Sequence, residues 1–168
     1  MELKEYAGDL FTCDCDVICH QVNCQGVMGL GLSKAIRKRY PLVFEQYSNF
    51  LENNKRIADS TSEFLGLCQL VKVGDKKSVA SLFGQDTYGK DGKVYTNYDA
   101  LLCSLFALRR LVLFGGYGIK SIAFPQGIGC GYAGGDWEKV RDMIISVFSS
   151  LDIRVEIIGL KKHEEAGN

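Results

Sequence analysis

VICHQVNCQGVMGLGLSKAIR, residues 17–37, is the stretch on which the fold turns. Val17 to Val22 are β-branched or apolar enough for a buried strand. The nine residues from Asn23 to Gly31 hold three glycines, and Ser33 to Arg39 has helical composition. A strand, a glycine-rich turn and a helix thus follow in immediate succession. The first turn of such a helix leaves backbone N–H groups unpaired at the positive end of the helix dipole, which makes an anion site suited to a phosphate or pyrophosphate. The same glycines would equally serve a plain strand-to-helix turn. Gly26, Gly29 and Gly31 give the order G-x-x-G-x-G. That is not the dinucleotide fingerprint, and no Gly-Lys-Ser/Thr follows as in a P-loop, so nicotinamide-dehydrogenase and NTPase readings lose their main support.

A second unit of the same kind lies downstream. The apolar strand Ser121–Phe124 runs into Gly127-Ile128-Gly129-Cys130-Gly131-Tyr132-Ala133-Gly134-Gly135, with five glycines in nine residues, and a helix follows over 136–149. Two such loops suit a ligand with two linked phosphates better than one with a single charge. Neither contains a lysine or arginine, so backbone dipoles would hold the anion.

Between and around these units the pattern alternates. Short strands are predicted at 3–6, 67–73, 78–83 and 153–160, with 67–73 and 78–83 forming a hairpin about Gly74-Asp75. Helices are predicted over 42–51, after the Tyr40-Pro41 break, and over 97–114 with Asn97 as N-cap. Residues 57–64 are predicted as a polar connection, 84–96 as a long functional loop, and 161–168 as a solvated tail. Strands interleaved with helices make a three-layer α/β domain, with ligands expected beyond the strand ends.

Length and composition set the boundaries. A chain of 168 residues suits one domain able to bury a core without staples. Twenty basic and twenty acidic residues cancel, with no long run of one sign, so no strong nucleic-acid signature is present. Seven cysteines, an odd number, with no signal peptide before the opening Met1-Glu2-Leu3-Lys4-Glu5, point to a reducing cytoplasm rather than a disulfide framework. No apolar run reaches the ~20 residues that span a bilayer. A monomer is the default.

Several side chains beside the loops carry two readings. His20 is a core histidine or a catalytic group. Asp9 is a turn carboxylate bonding its own backbone or a ligand acceptor on the sheet rim. Asn23 is a turn asparagine or a hydrogen-bonding partner for sugar hydroxyls. Gln85 and Asp86 open the long loop, and Asp136 is the N-cap of the helix from Trp137 or an acid at the end of the second glycine loop. Cys13, Cys15, Cys19, His20 and Cys24 raise a metal reading, but no paired C-x-x-C knuckle exists and Cys19 and His20 face opposite ways on a strand, so neither metal nor cofactor is expected.

Together, Gly8-Asp9-Leu10, HQVNCQGVMGLGLSKAI at 20–36, the strand 121–124 and GIGCGYAGGDW at 127–137 resemble the macro domain, an ADP-ribose-binding fold. The resemblance implies a mixed, about six-stranded sheet between helices. It places Asp9 on the adenine amino group with the Leu10 N–H beside it, and Asn23, Gly29 and Gly31 at the distal ribose. Gly127, Ile128, Gly129, Cys130 and Gly131 would lie over the diphosphate, with Tyr132 near the distal ribose. The branch it most resembles holds ADP-ribosyl hydrolases and ADP-ribose 1''-phosphate phosphatases, which implies ADP-ribose or an ADP-ribosylated substrate as partner; a non-catalytic reader is the alternative. The hydrolases of that branch use a lysine after the strand that is 78–83 here, where this chain has Gly84-Gln85-Asp86. Some members also have an acid where Ala133 stands. A water positioned by amide and carboxylate groups, among His20, Asn23, Gln85, Asp86 and Asp136, is expected in place of the lysine-based route, with Lys90 or Lys93 further along the loop as the alternative.

Overall fold

Chain order in the computed structural model, which describes residues 1–160, is β1 (Glu2–Gly8), β2 (Val17–Val22), α1 (Gly31–Arg39), α2 (Pro41–Asn54), β3 (Cys68–Gly74), β4 (Lys77–Phe83), α3 (Tyr98–Phe114), β5 (Ser121–Pro125), α4 (Trp137–Phe148) and β6 (Arg154–Leu160). The predicted tail, 161–168, lies outside the described residues. The strands form one six-stranded sheet in the order β1-β6-β5-β2-β4-β3. Every neighbouring pair is parallel except β3 with β4, which are the antiparallel hairpin that Gly74-Asp75 foretold. The mixed α/β sheet is therefore as expected from the sequence.

All six residues of β2 are buried, because β2 is flanked by β5 and β4 and covered on both faces. Alternation sorts its side chains. Val17 and Cys19 join the core under α3 and α4, with Leu101, Leu105, Val140, Ile144 and Phe148. Ile18 and Val22 join the core under α1 and α2, with Ile36, Val43, Tyr47 and Leu51. A period-2 strand between two apolar helix faces yields three layers.

Most boundaries shift by one to three residues from the sequence reading, and two differences have a clear physical cause. The strand predicted at 3–6 extends over 2–8, since pairing along the whole length of β6 satisfies its backbone. The connection predicted over 57–64 contains a 3-10 turn, Thr61–Phe64, closed by a capping box in which Ser60 and Glu63 bond each other's backbone. The S-x-x-E pattern at 60–63 was its signal. Among the described residues no helix is long and apolar enough to cross a membrane.

Phe83, 1% exposed at the end of β4, packs its ring 5.8 Å from Tyr47 and 5.9 Å from Phe50. Phe83→Ala should therefore cost about 3–5 kcal/mol by urea unfolding, a transfer loss plus an unfilled cavity.

Candidate functional site

Because β1, β6, β5, β2 and β4 run parallel, their C-terminal ends share one edge of the sheet, and both glycine loops leave from it. In the first loop Asn23 acts as an internal template. Its Nδ2 donates to Val27 O (2.8 Å), and its Oδ1 accepts from the Gln25 N–H (2.9 Å) and from the Tyr47 hydroxyl (2.9 Å). Tyr47 Oη also receives the Gly26 N–H at 3.1 Å, so a phenol from α2 fastens the loop from below. These bonds leave the N–H groups of residues 28–33 without partners among the described residues, and Leu30, the N-cap of α1, provides no side-chain cap. The row is thus free for an anion. Lys34, Arg37 and Lys38 line a groove of ≈ 520 Å³ beside Met28 and Gly29, which adds positive potential next to it.

The second loop folds as overlapping turns: Ile128 N–H to Pro125 O, Cys130 N–H to Gly127 O, Gly134 N–H to Gly131 O and Gly135 N–H to Gly129 O. The N–H groups of Gly127, Gly129, Gly131, Tyr132 and Ala133 have no partner among the described residues. A Cβ on Gly31 would lie 3.9 Å from the Tyr132 ring, so the two loops meet there. Lys90 Nζ stands 6.0 Å from the centre of the same ring. The helix after this loop is closed to ligands by Asp136, whose Oδ1 accepts from the Glu138 N–H at 3.0 Å.

A buried amide network supports both loops. Gln21 Nε2 donates to Gln85 Oε1 (2.8 Å) and to Thr96 Oγ1 (2.9 Å), and Thr96 Oγ1 donates to Gly129 O (2.6 Å). Gln85 Nε2 closes the network on Thr87 O. The Gln21 amide occupies the space that side chains at two neighbours would need: a Cβ would fall 2.4 Å from its Oε1 at Gly84 and 2.7 Å at Gly129. Gly129 also has φ +72°, so glycine is required there twice over. The 84–97 segment is strapped to the second loop by the Tyr95 and Thr96 N–H groups, both donating to Ala133 O.

On the opposite face of β2, His20 is 1% exposed between two serines, with Nδ1 3.1 Å from Ser33 Oγ and Nε2 2.7 Å from Ser81 Oγ. The Ser33 hydroxyl proton goes to Gln21 O, so Nδ1–H must donate to Ser33 and Nε2 must accept from Ser81. Burial pushes the imidazole down to about 3, which keeps it neutral.

Asp86 sits where the 84–97 segment begins and is held between the 3-10 turn and the first glycine loop: its Oδ1 accepts from Thr61 Oγ1 (2.8 Å) and Gln25 Nε2 (3.1 Å). Asp9 fixes its own turn through Oδ1, which accepts the Phe11 N–H at 2.8 Å, leaving the second oxygen free. Leu10 buries its side chain fully while its N–H has no partner among the described residues. The fold therefore gathers Asn23, Gly29, Gly31 and Gly127 to Tyr132 along one edge with Asp9 and Leu10, and commits His20, Gln85 and Asp136 to internal bonds. Gln21, Tyr47, Thr96, Ser33 and Ser81 were not singled out from sequence. A glutamine beside a histidine in an otherwise apolar strand was the one available signal for the first.

The arrangement is an α/β domain whose cleft lies between two loops of free backbone amides. No family model matches the chain. The macrodomain of Mycobacterium tuberculosis DarG superposes with a TM-score of 0.77 at 25% identity, covering 93% of this chain and 96% of that one. The DNA ADP-ribosyl glycohydrolase of Mycobacterium tuberculosis is 27% identical over 150 residues, 86% of this chain and 38% of that protein. An ADP-ribose 1''-phosphate phosphatase of Neosartorya fischeri is 38% identical over 53 residues, 31% of this chain and 26% of that protein. The chain thus spans about two fifths or less of the length of these curated relatives. Its fold is that of the macrodomains.

The neutral His20 sets a pH dependence. The unfolded imidazole takes a proton near 6.5 and the folded one only near 3, so stability is complete above 6.5 and falls as pH drops between those values. The slope should be about 1.4 kcal/mol per pH unit for that one proton. Urea unfolding at a series of pH values should show this component in the wild type and not in His20→Gln.

Proposed function

We infer that this chain binds ADP-ribose across the strand ends and hydrolyses a group carried on its distal ribose. The observation that carries the first part is the pair of loops with unpartnered N–H groups, those of residues 28–33 in the first and of Gly127, Gly129, Gly131, Tyr132 and Ala133 in the second, with no lysine or arginine in either loop. Two adjacent amide cradles suit a ligand with two linked phosphates, and dipoles fixed by the fold need no reorganisation to receive it. Asp9 then accepts the adenine amino group through its free oxygen, beside the Leu10 N–H. Asn23, with one amide hydrogen still available, and Tyr132 flank the distal ribose. The second part is supported by the two relatives named above, a DNA ADP-ribosyl glycohydrolase and an ADP-ribose 1''-phosphate phosphatase. An ordered water is the attacking group, oriented by Asn23 and the loop amides. The seven thiols, all free, fit a reducing cytoplasmic setting.

A reader without turnover is the second reading. It is favoured by the commitment of His20, Gln85 and Asp136 to internal hydrogen bonds, which leaves no evident general base.

Gly131 is the cleanest position at which to test binding. It is exposed, has no positive φ, and a Cβ there would meet nothing within 4 Å, whereas Gly129→Glu would also collide with Gln21. Gly131→Glu should keep the melting temperature and weaken ADP-ribose binding at least about tenfold, ~1.4 kcal/mol, by calorimetry. Unchanged affinity, or no binding by the wild type at millimolar ligand, would remove the diphosphate assignment.

Turnover is tested on ADP-ribose 1''-phosphate, on O-acetyl-ADP-ribose and on ADP-ribosylated DNA and protein, with Asn23→Ala, Gln85→Ala, Asp86→Ala, Asp136→Ala and His20→Ala assayed beside the wild type. Loss of a general base lowers the rate about 10²–10⁴-fold, so a water-positioning site should show smaller losses spread over Asn23 and Gln85. Wild type that turns over none of these while binding ADP-ribose establishes the reader.

A further inference from the structure

The loop from Asp9 to Asp16 crosses the α1/α2 face of the sheet from the end of β1 to the start of β2, and it carries two thiols that the site does not use. Cys13 is partly exposed, and Cys15 is 2% exposed beneath it. One residue separates the two thiols on this single loop. Lys77, at the start of β4, donates to Cys13 O at 2.6 Å and holds its ammonium 3.9 Å from Cys13 Sγ. The Cys13 thiol closes the turn behind Asp9 by donating to Leu10 O at 3.2 Å.

We propose that Cys13 and Cys15 form a peroxide-oxidisable pair, a covalent modification site on the turn that carries Asp9. The charged and titratable groups turned toward Cys13 are Lys77 on β4, Glu156 on β6, Tyr6 on β1 and Cys15 on its own loop. Tyr6 is tied down by its hydrogen bond to Glu156 Oε2 (2.6 Å). Glu156 is also engaged by Arg154, whose Nε stands 2.9 Å from Oε1 as an ion-pair contact rather than an aligned hydrogen bond. Hydrogen bonding from Cys15 and the Lys77 charge outweigh burial and the Glu156 charge and lower the Cys13 thiol, while the Cys15 thiol is pushed up. The pair therefore has one thiolate to attack and one thiol to resolve.

The chemistry balances with hydrogen peroxide as oxidant. The Cys13 thiolate attacks one peroxide oxygen, the O–O bond breaks, and the departing hydroxide takes a proton to become water, leaving a sulfenic acid. Cys15 sulfur then attacks Cys13 sulfur. The S–O bond breaks, and the hydroxide leaves as water with the Cys15 proton. Two thiols and one peroxide become a disulfide and two waters. The product has lost the Cys13 S–H that bonded Leu10 O, so the 9–13 turn loosens. Under the ADP-ribose reading, and resting on it, that turn is the one that meets the adenine.

Exposed Cys103 on α3 provides an internal reference. At pH 7, iodoacetamide should label Cys13 about tenfold faster than Cys103 despite its lower exposure. Lys77→Met should remove most of that advantage and Lys77→Arg should keep it. Limiting peroxide should give a mass loss of two hydrogens with a linked 13–15 peptide. Cys15→Ser, which leaves Lys77 in place, should stop at a dimedone-trapped sulfenic acid on Cys13. Hydrogen exchange at the Phe11 and Thr12 amides should rise on oxidation and return with a thiol reductant. None of these readouts needs ADP-ribose, so they stand or fall apart from the binding assignment. Faster labelling of Cys103, or peroxide treatment that leaves Cys13 and Cys15 unlinked, would overturn the proposal.

Discussion

The last two polar side chains of β2, His20 and Gln21, hold the working edge of the sheet from its two faces. His20 ties β2 to α1 through Ser33 and to β4 through Ser81. Gln21 ties it to the 84–97 segment through Gln85 and Thr96, and through Thr96 to the second glycine loop. Each group is buried, so each bond forms in a low-dielectric setting where leaving a partner unpaired is costly. This is why two loops distant in sequence keep a fixed relation across a cleft. The strand cannot slip by one residue without exchanging the two faces and breaking both sets.

The glycines follow from that constraint. Gly84 and Gly129 leave room for the Gln21 amide, so their role is packing as much as turning. Freed from side chains, the two loops turn backbone N–H groups outward, and polar side chains serve the scaffold. Asn23 illustrates the division: its amide mostly shapes the first loop, with Tyr47 as the pillar beneath it. Recognition is thereby assigned to dipoles that cannot rotate away or titrate. Under the proposed ADP-ribose reading, specificity for a base or a sugar falls to the few side chains on the rim, Asp9 and Tyr132 among them.

The crossing loop from Asp9 to Asp16 links the two ends of the sheet. At one end Asp9 shapes a turn beside the cleft. At the other, Asp16 Oδ2 accepts the Lys120 N–H (2.8 Å) and the Ser121 N–H (3.0 Å) and so starts β5. Between these anchors Cys13 and Cys15 lie near Lys77, Arg154 and Glu156, beside the apolar core under α1 and α2. A loop pinned at both ends transmits a local covalent change along its short length, toward the turn at Asp9.

Local signals in the chain were enough for the three-layer α/β class, the hairpin about Gly74-Asp75, the caps at Asn97 and Asp136, and two strand-to-glycine-loop-to-helix units. Periodicity, capping chemistry and turn residues act over a few positions, and a single sequence displays them directly. The motifs at 8–10, 20–36 and 127–137 also carried the macrodomain resemblance, and the fold agrees with it. What the sequence could not display is which polar groups meet. Gln21 and Gly129 are far apart in the chain, as are His20 and Ser81, Tyr47 and Asn23, and Lys77 and Cys13. Their pairing depends on the strand order β1-β6-β5-β2-β4-β3, which brings them together only after the sheet has formed. The tertiary structure therefore decided that His20 meets Ser33 and Ser81, that Gln21 is the buried support for both loops, and that the free donors of the cleft belong to the backbone, because partners of buried polar groups are chosen by topology and not by nearness in sequence.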